Sequence, residues 1–429
     1  MIVRWLAFVS LCACSSPQST DGPTLPTTSA SAPPIVSSTA PVVAEAPREL
    51  AFDVKSFDFE TNKDLAKRIA ESPHAYYRFI NQLLSVAVCK RFAPEIAAMP
   101  KVRLHGDAHV EQYAVTALGR GLMDYDDASI GPAVMDLERF ATSLVLALRV
   151  RGAAADPDFK GNAEAETKII AHFVEGYRAG LAKPALPATS PAFADALKAK
   201  FDKGRGSFLE MTDKNMVPLG AADEAFVKEH VAKFEREETQ RGPKRPAGFY
   251  TVKRLGALKL GIGSALGRKY LVRLEGPKKT PDDDVILELK EISDRSNVPC
   301  VTAIPSGAAD ARRELQEAAG AKTLLSAMLL PDSKFWVNEW FANYEEVRIK
   351  KLSADADLRE IAFEAGVLLA IEHQKKAPEH QPPAASSLAI DEALAKKLDT
   401  HARELANATV DGWRLFQKEV PVEPTTKGR

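Results

Sequence analysis

The clearest periodicity in the chain lies in VMDLERFATSLVLALRVRG, where Leu137, Phe140, Ala141, Leu144, Val145 and Leu148 fall on one face at helical spacing. A second stripe, Ile169, Ile170, Phe173, Val174 and Tyr177, predicts a helix over 163–183, and weaker patterns predict helices near 62–88, 191–203 and 222–239. A short strand, KVRLHGD, precedes the first of the strong stripes. The texture then changes. FYTVKRLGALKLGIGSALGRKYLVRLEG and DDVILELKEIS have strand composition interrupted by glycines and a charged loop. A helix over 312–330 and a strand in KFWVNEWFANYEEVRIKKL follow, and helices over 355–376 and 388–418 end the chain. The plan is α, then β with one helix, then α: an α+β protein.

The N-terminus departs from this patterning. MIVRWLAFVSLCAC joins one early positive charge, Arg4, to an apolar run too short for a permanent membrane span, as in a secretory signal. From Ser15 to Pro47 the chain is rich in Ser, Thr, Pro and Ala and reads as a flexible tether. The formal net charge of -1 comes from well-mixed residues without a long basic run, which argues against nucleic acid as a partner. Beyond the signal only Cys89 and Cys300 remain, so a multi-disulfide scaffold is excluded and a single bridge is left open.

The chemistry concentrates in two acidic stretches. In HGDAHVEQ a strand ends at Gly106 and a loop presents Asp107, suited to orient a hydroxyl or water and accept its proton. In MDYDDA, Asp124 and Asp126 alternate as on a strand and face one side, where a divalent cation makes their crowding tolerable. Plain structural readings exist for each: Asp107 as a loop cap, Asp124 and Asp126 as turn acids, His105 and His109 as loop organisers. Asp136 suits the N-terminus of its helix whatever the function. The spacing His105, Asp107, His109 also fits three metal ligands on an extended segment, and with it a metal-dependent phosphoester hydrolase.

His105-Gly106-Asp107-Ala108-His109 resembles the HGDxHxxN loop of aminoglycoside and choline kinases. That resemblance implies a protein-kinase-like fold in which Asp107 is catalytic, Asp124 binds magnesium with Asp126 as an alternative, and Asp136 is structural. Such a kinase also needs a glycine-rich hairpin over the phosphates and a lysine on the next strand. No room for them exists before His105, but LGALKLGIGSALGRKYLVRL supplies Gly261, Gly263, Ser264 and Gly267, and VILELKE supplies Lys290. The order is circularly permuted. Glu314 and Glu317 are the candidate partners of Lys290.

SPHAYYRF, GDAHVEQYA, DYDDASIGP, GIGSALGRKY and LELKE, in this sequence, resemble the bacterial domain of unknown function 2252 family. Beyond the signal, over 1–13, and the tether, over 14–48, both read from their own residues, the resemblance implies a helical lobe with catalytic and metal loops over 49–245. A β-rich nucleotide-binding lobe over 246–352, C-terminal helices over 353–420 and a tail over 421–429 complete it. It further implies a phosphotransferase using ATP and Mg²⁺, with Gln112 as second metal ligand, and an acceptor that is a small molecule or a protein; nucleotidyl transfer is also open to the fold. Gln112 stands where the family usually has Asn, and Tyr113-Ala114 where it has Phe-Gly. Leu11-Cys12-Ala13-Cys14 resembles a lipobox, which implies lipidation at Cys14 and anchoring in the bacterial cell envelope, at the outer membrane since Ser15 is not Asp. A kinase-like binding module without turnover is the alternative, because the envelope normally lacks ATP.

Overall fold

Ser72 and Pro73 interrupt the first predicted helix, and the computed structural model accordingly shows α1 (Lys63–Ala70), α2 (Pro73–Phe79) and α3 (Asn81–Arg91) in place of one rod. The Ser72 hydroxyl accepts from Ala75 N and Pro73 fills the first helical position, a strong start signal. The structure describes residues 49–117, 119–201, 205–241, 244–263, 267–304, 324–352 and 355–421. Cys14 and the tether, Ser264, Glu314 and Glu317 lie outside these residues.

After α4 (Ala93–Ala98) come β1 (Lys101–Leu104), β2 (Tyr113–Thr116), β3 (Arg120–Leu122) and β4 (Ser129–Pro132). β1 runs antiparallel to β4 with Leu104 opposite Ser129, and β2 pairs with β3, so both acidic motifs begin or end at these short strands. Next is α5 (Val134–Arg151), followed by α6 (Ala163–Ala182) and α7 (Ala192–Lys198). The predicted stripe on α5 is buried apart from Leu148, which is half-buried. The other faces of α5 are buried too, including Glu138, Arg139, Thr142 and Ser143.

Burial pushes the Glu138 carboxyl well above its ordinary range, against the opposing pull of Arg91 and of the Thr142 hydroxyl. The folded protein therefore keeps a proton that the unfolded chain releases above pH 4.5, and stability falls as pH rises past that point. Glu138→Gln is expected to add on the order of 1–3 kcal/mol near pH 7 and almost nothing at pH 4. Thermal melts of both proteins at the two pH values check this.

The β-rich part consists of α8 (Gly206–Lys214), β5 (Met216–Val217), α9 (Ala221–Arg241), β6 (Val252–Leu258), β7 (Lys269–Leu274), β8 (Val285–Glu291), β9 (Thr302–Ala303), β10 (Met328–Leu329), β11 (Phe335–Trp340) and β12 (Tyr344–Glu346). Six strands form one antiparallel sheet in the order β10-β11-β8-β7-β6-β5. Alternation along β8 sorts its two faces. Val285, Leu287 and Leu289 pack with Val227, Val231 and Phe234 of α9, whereas Ile286 joins Leu209 of α8. Glu288 and Lys290 continue the second face into an open cavity.

Three expectations change here. The residues from α8 through α9 belong with this sheet, so the β-rich part starts before 246. The helix expected over 312–330 ends in β10, an extended segment; most of its length lies outside the described residues. The single strand expected over 334–352 is two strands in different sheets, β11 beside β8 and β12 beside β2.

α10 (Asp355–His373) and α11 (Glu392–Glu419) close the chain. α10 packs tightly along α6: a Cβ on Gly176 would lie 2.0 Å from the Phe363 carbonyl oxygen, and one on Gly366 2.3 Å from that of Phe173. Cys89 of α3 and Cys300 form a disulfide with Cα atoms 5.7 Å apart. Among the described residues no helix is long and apolar enough to cross a membrane.

Candidate active site

Gly106 sets the geometry of the first acidic loop. Its φ is +79°, and a Cβ there would meet the Asp127 carbonyl oxygen at 2.0 Å, so the two acidic motifs touch through this residue. Asp136 of α5 holds the loop from behind, accepting from His105 N at 2.7 Å and Gly106 N at 3.0 Å. His373 of α10 stands 3.2 Å from Asp136, with the Tyr177 hydroxyl 3.0 Å behind it. Burial works to raise the Asp136 carboxyl, but His373, His105 and the Gly106 N–H together outweigh it and hold the group below its ordinary range. His105 contacts the Met123 carbonyl through Nε2 at 2.9 Å and lies against the Tyr125 ring. It ties the HGD loop to the DYDD loop.

Asp107 is buried, and Arg139, one helical turn beyond Asp136, donates to its Oδ1. Burial raises the Asp107 carboxyl above its ordinary range, and Arg139 works against that shift. The Gln112 amide nitrogen lies 3.5 Å from Asp107 Oδ2 and 3.4 Å from Asp124 Oδ2, bridging the two acids. Tyr113, next in sequence, is buried and donates its hydroxyl to Glu364, which also holds Arg120.

Asp124 and Asp126 do not alternate on a strand. Asp124 has φ +67° and Tyr125–Asp127 form a 3₁₀ turn. The tight turn nevertheless brings both carboxylates to Lys290, whose Nζ is 2.7 Å from Asp124 and 3.0 Å from Asp126. Burial raises both acids, but Lys290 together with the hydrogen bonds of Asp126 and Gln112 holds Asp124 low, while the charge of Asp124 drives Asp126 further up. Burial lowers the Lys290 ammonium, and the two aspartates more than reverse this.

Nothing in the sequence pattern singles out Arg139, Asp127, Arg295 or Asn81 of this network. Arg139 stands on the same helical run as Asp136, three residues along, but nothing in the pattern marks a buried arginine. Asp127 pairs with Arg295 at 2.9 Å and accepts from Asn81 Nδ2 at 3.0 Å; these contacts join positions far apart in the chain.

The cavity over these groups measures about 820 Å³. Lys269, Glu288, Lys290, Trp336, Asn338 and Trp340 line its sheet side, and Arg78, Glu111, Asp124 and Tyr344 line the helical side. Leu260, Gly261 and Ile262, which follow β6, also line it. The Gly261 carbonyl accepts from Arg68 at 3.0 Å, and a Cβ on Gly263 would lie 3.2 Å from Asp107 Oδ2. Gly267 lies at the other end of the loop, before β7.

His109 is buried beside His74, and burial together with Arg78 depresses it well below the ordinary histidine range, which keeps it neutral. The His109 ring lies against Asp107 and His74, and the His105 ring against Met123, Tyr125 and the Asp107 backbone N–H. Among the described residues no three His, Cys, Asp or Glu side chains are grouped to hold a metal ion.

The fold and site define an α+β protein with a buried acid and an acid–lysine cluster under a glycine loop. Residues 65–202 and 188–419 match the family described as "Uncharacterized protein conserved in bacteria (DUF2252)", and the chain belongs to that family. No curated protein and no solved structure matches it.

Proposed function

We propose that the protein is an ATP- and Mg²⁺-dependent phosphotransferase of protein-kinase-like architecture in circularly permuted order, held in the bacterial cell envelope by a lipid on Cys14. The contact of Lys290 with Asp124 at 2.7 Å carries this reading. A lysine on the strand after a glycine hairpin, meeting an acid that follows the catalytic loop, is the arrangement that grips phosphate and metal in kinases. The envelope assignment draws support from the Cys89–Cys300 bridge, which suits an oxidising compartment.

In this reading Asp107 orients the acceptor hydroxyl and takes its proton, a task helped by a carboxyl raised above its ordinary range. Arg139 fixes its direction. The donor set suits Mg²⁺, a hard cation that binds through one or two carboxylates plus phosphate oxygens. Asp124, the most exposed of the cluster at 39 % of its side chain, would hold it together with the Gln112 amide, leaving Asp126 to Lys290. When bound, the ion would neutralise phosphate charge. Lys290 reaches the phosphates from the sheet, and the backbone of Gly261 and Gly263 covers them.

A binding module without turnover is favoured by one observation: even a Cβ on Gly263 would crowd Asp107, 3.2 Å from its Oδ2, where an acceptor would need to come. Melting of the purified protein with and without ATP and Mg²⁺, beside Lys290→Ala, tests the reading. Nucleotide at a hundred times its dissociation constant stabilises by about 2.7 kcal/mol. A shift that needs Mg²⁺ and vanishes in the variant is expected; no shift at millimolar nucleotide would overturn it.

A further inference from the structure

Lys269 of β7 stands directly opposite Lys290 of β8, and Trp336 of β11 stands opposite Lys290 on its other side. Residues opposite each other in an antiparallel pair share a face, so two ammonium groups and an indole lie abreast on the cavity roof. Both lysines are buried, at 7 % and 5 % exposure. Like charges placed opposite each other inside a sheet weaken it, and local conflicts of this kind gather where function requires them. The charge of Lys290 is matched by Asp124 and Asp126. Lys269 donates to the carbonyl of Leu260, at the entrance to the glycine loop.

We propose that Lys269 is a second phosphate-holding residue, which takes the polyphosphate of a nucleoside triphosphate jointly with Lys290 and exchanges the Leu260 carbonyl for a phosphate oxygen. This inference rests on the nucleotide reading above and deepens it. It explains why a lysine rather than an apolar residue occupies the roof above the cavity. It also couples ligand to loop: the group that ties down the start of the glycine loop is the group that the ligand recruits. The titration agrees. Burial lowers the Lys269 ammonium to about 8, and Lys290 adds to this, while Glu288 of the same strand as Lys290, and Asp124 and Asp126 from the helical side, oppose it. A polyphosphate between the two lysines adds negative charge, and Lys269 then recovers its proton at mildly alkaline pH.

Calorimetry of the purified protein at pH 8.5 with ATP and Mg²⁺, and separately with adenosine, in two buffers of different ionisation heat, reads both affinity and proton uptake. Wild-type protein is expected to take up protons with ATP and none with adenosine. Lys269→Met, which keeps the length of the stem, is expected to lose ATP affinity by about ten- to a hundredfold, leave adenosine unchanged, and abolish the uptake. Equal losses for ATP and adenosine in the variant would overturn the role of Lys269 and leave the nucleotide site standing. Failure of ATP to bind wild type at all would overturn both. Lys269→Gln reads the same comparison of ATP with adenosine if Lys269→Met does not fold.

Discussion

Replacing Cys89 and Cys300 together by serine is expected to lower the unfolding free energy by about 3–5 kcal/mol, read as a lower denaturant midpoint. The two cysteines are 211 residues apart in sequence, and a cross-link over so long a loop removes much of the freedom of the unfolded chain. The local effect adds to the global one. Cys300 ends the segment that leaves β8 and carries Arg295, which meets both Asp127 and the Gly106 carbonyl. Releasing that end loosens the link between the two acidic loops, so the variant is also expected to show a smaller ATP-dependent melting shift. An unchanged midpoint for the double variant, or for reduced wild type, would mean that the bridge contributes nothing.

Asp107→Asn is expected to cut transfer by about 10²–10⁴-fold while preserving the Mg²⁺–ATP melting shift. The amide is nearly the same shape but cannot accept a proton from the acceptor. Arg139, which is buried against Asp107, then faces a neutral group, so the variant is also expected to melt earlier. Radiolabelled transfer, or ATP turnover with wild type as reference, checks the first effect. Undiminished transfer in Asp107→Asn would remove Asp107 from the chemistry. Arg139→Lys is expected to fall between the two, since a single ammonium keeps the charge but not the planar fork.

The helices that the sequence made legible are those with a single apolar stripe. α5 and α6 follow their expected ranges because Leu137, Phe140, Ile169 and Phe173 recur at the helical period, a purely local property. The first helix is divided in the structure because Ser72-Pro73 acts as a start signal inside a continuous helical pattern. β11 and β12 merged for the opposite reason: strand composition runs through both, and only long-range pairing separates them. The acids Asp107 and Asp124 could be picked out by motif, as could Lys290. Their mutual geometry could not, because Lys290 joins Asp124 across 166 residues. The turn at Asp124 shows the limit clearly. Alternation predicts Asp124 and Asp126 on one side of a strand, and a 3₁₀ turn brings them together by another route. Arg139 and Arg295 were illegible for a deeper reason, since nothing local marks which arginine will be buried against a carboxylate.

The break between β11 and β12 carries a mechanical consequence. β11 lies in the sheet that roofs the cavity, and β12, after the short span 341–343, pairs with β2, Glu345 opposite Val115. β2 begins at Tyr113, the residue after Gln112. Any tilt of the roof is therefore transmitted as a lever through β12 into β2, and the Gln112 amide that bridges Asp107 and Asp124 sits at the near end of that lever.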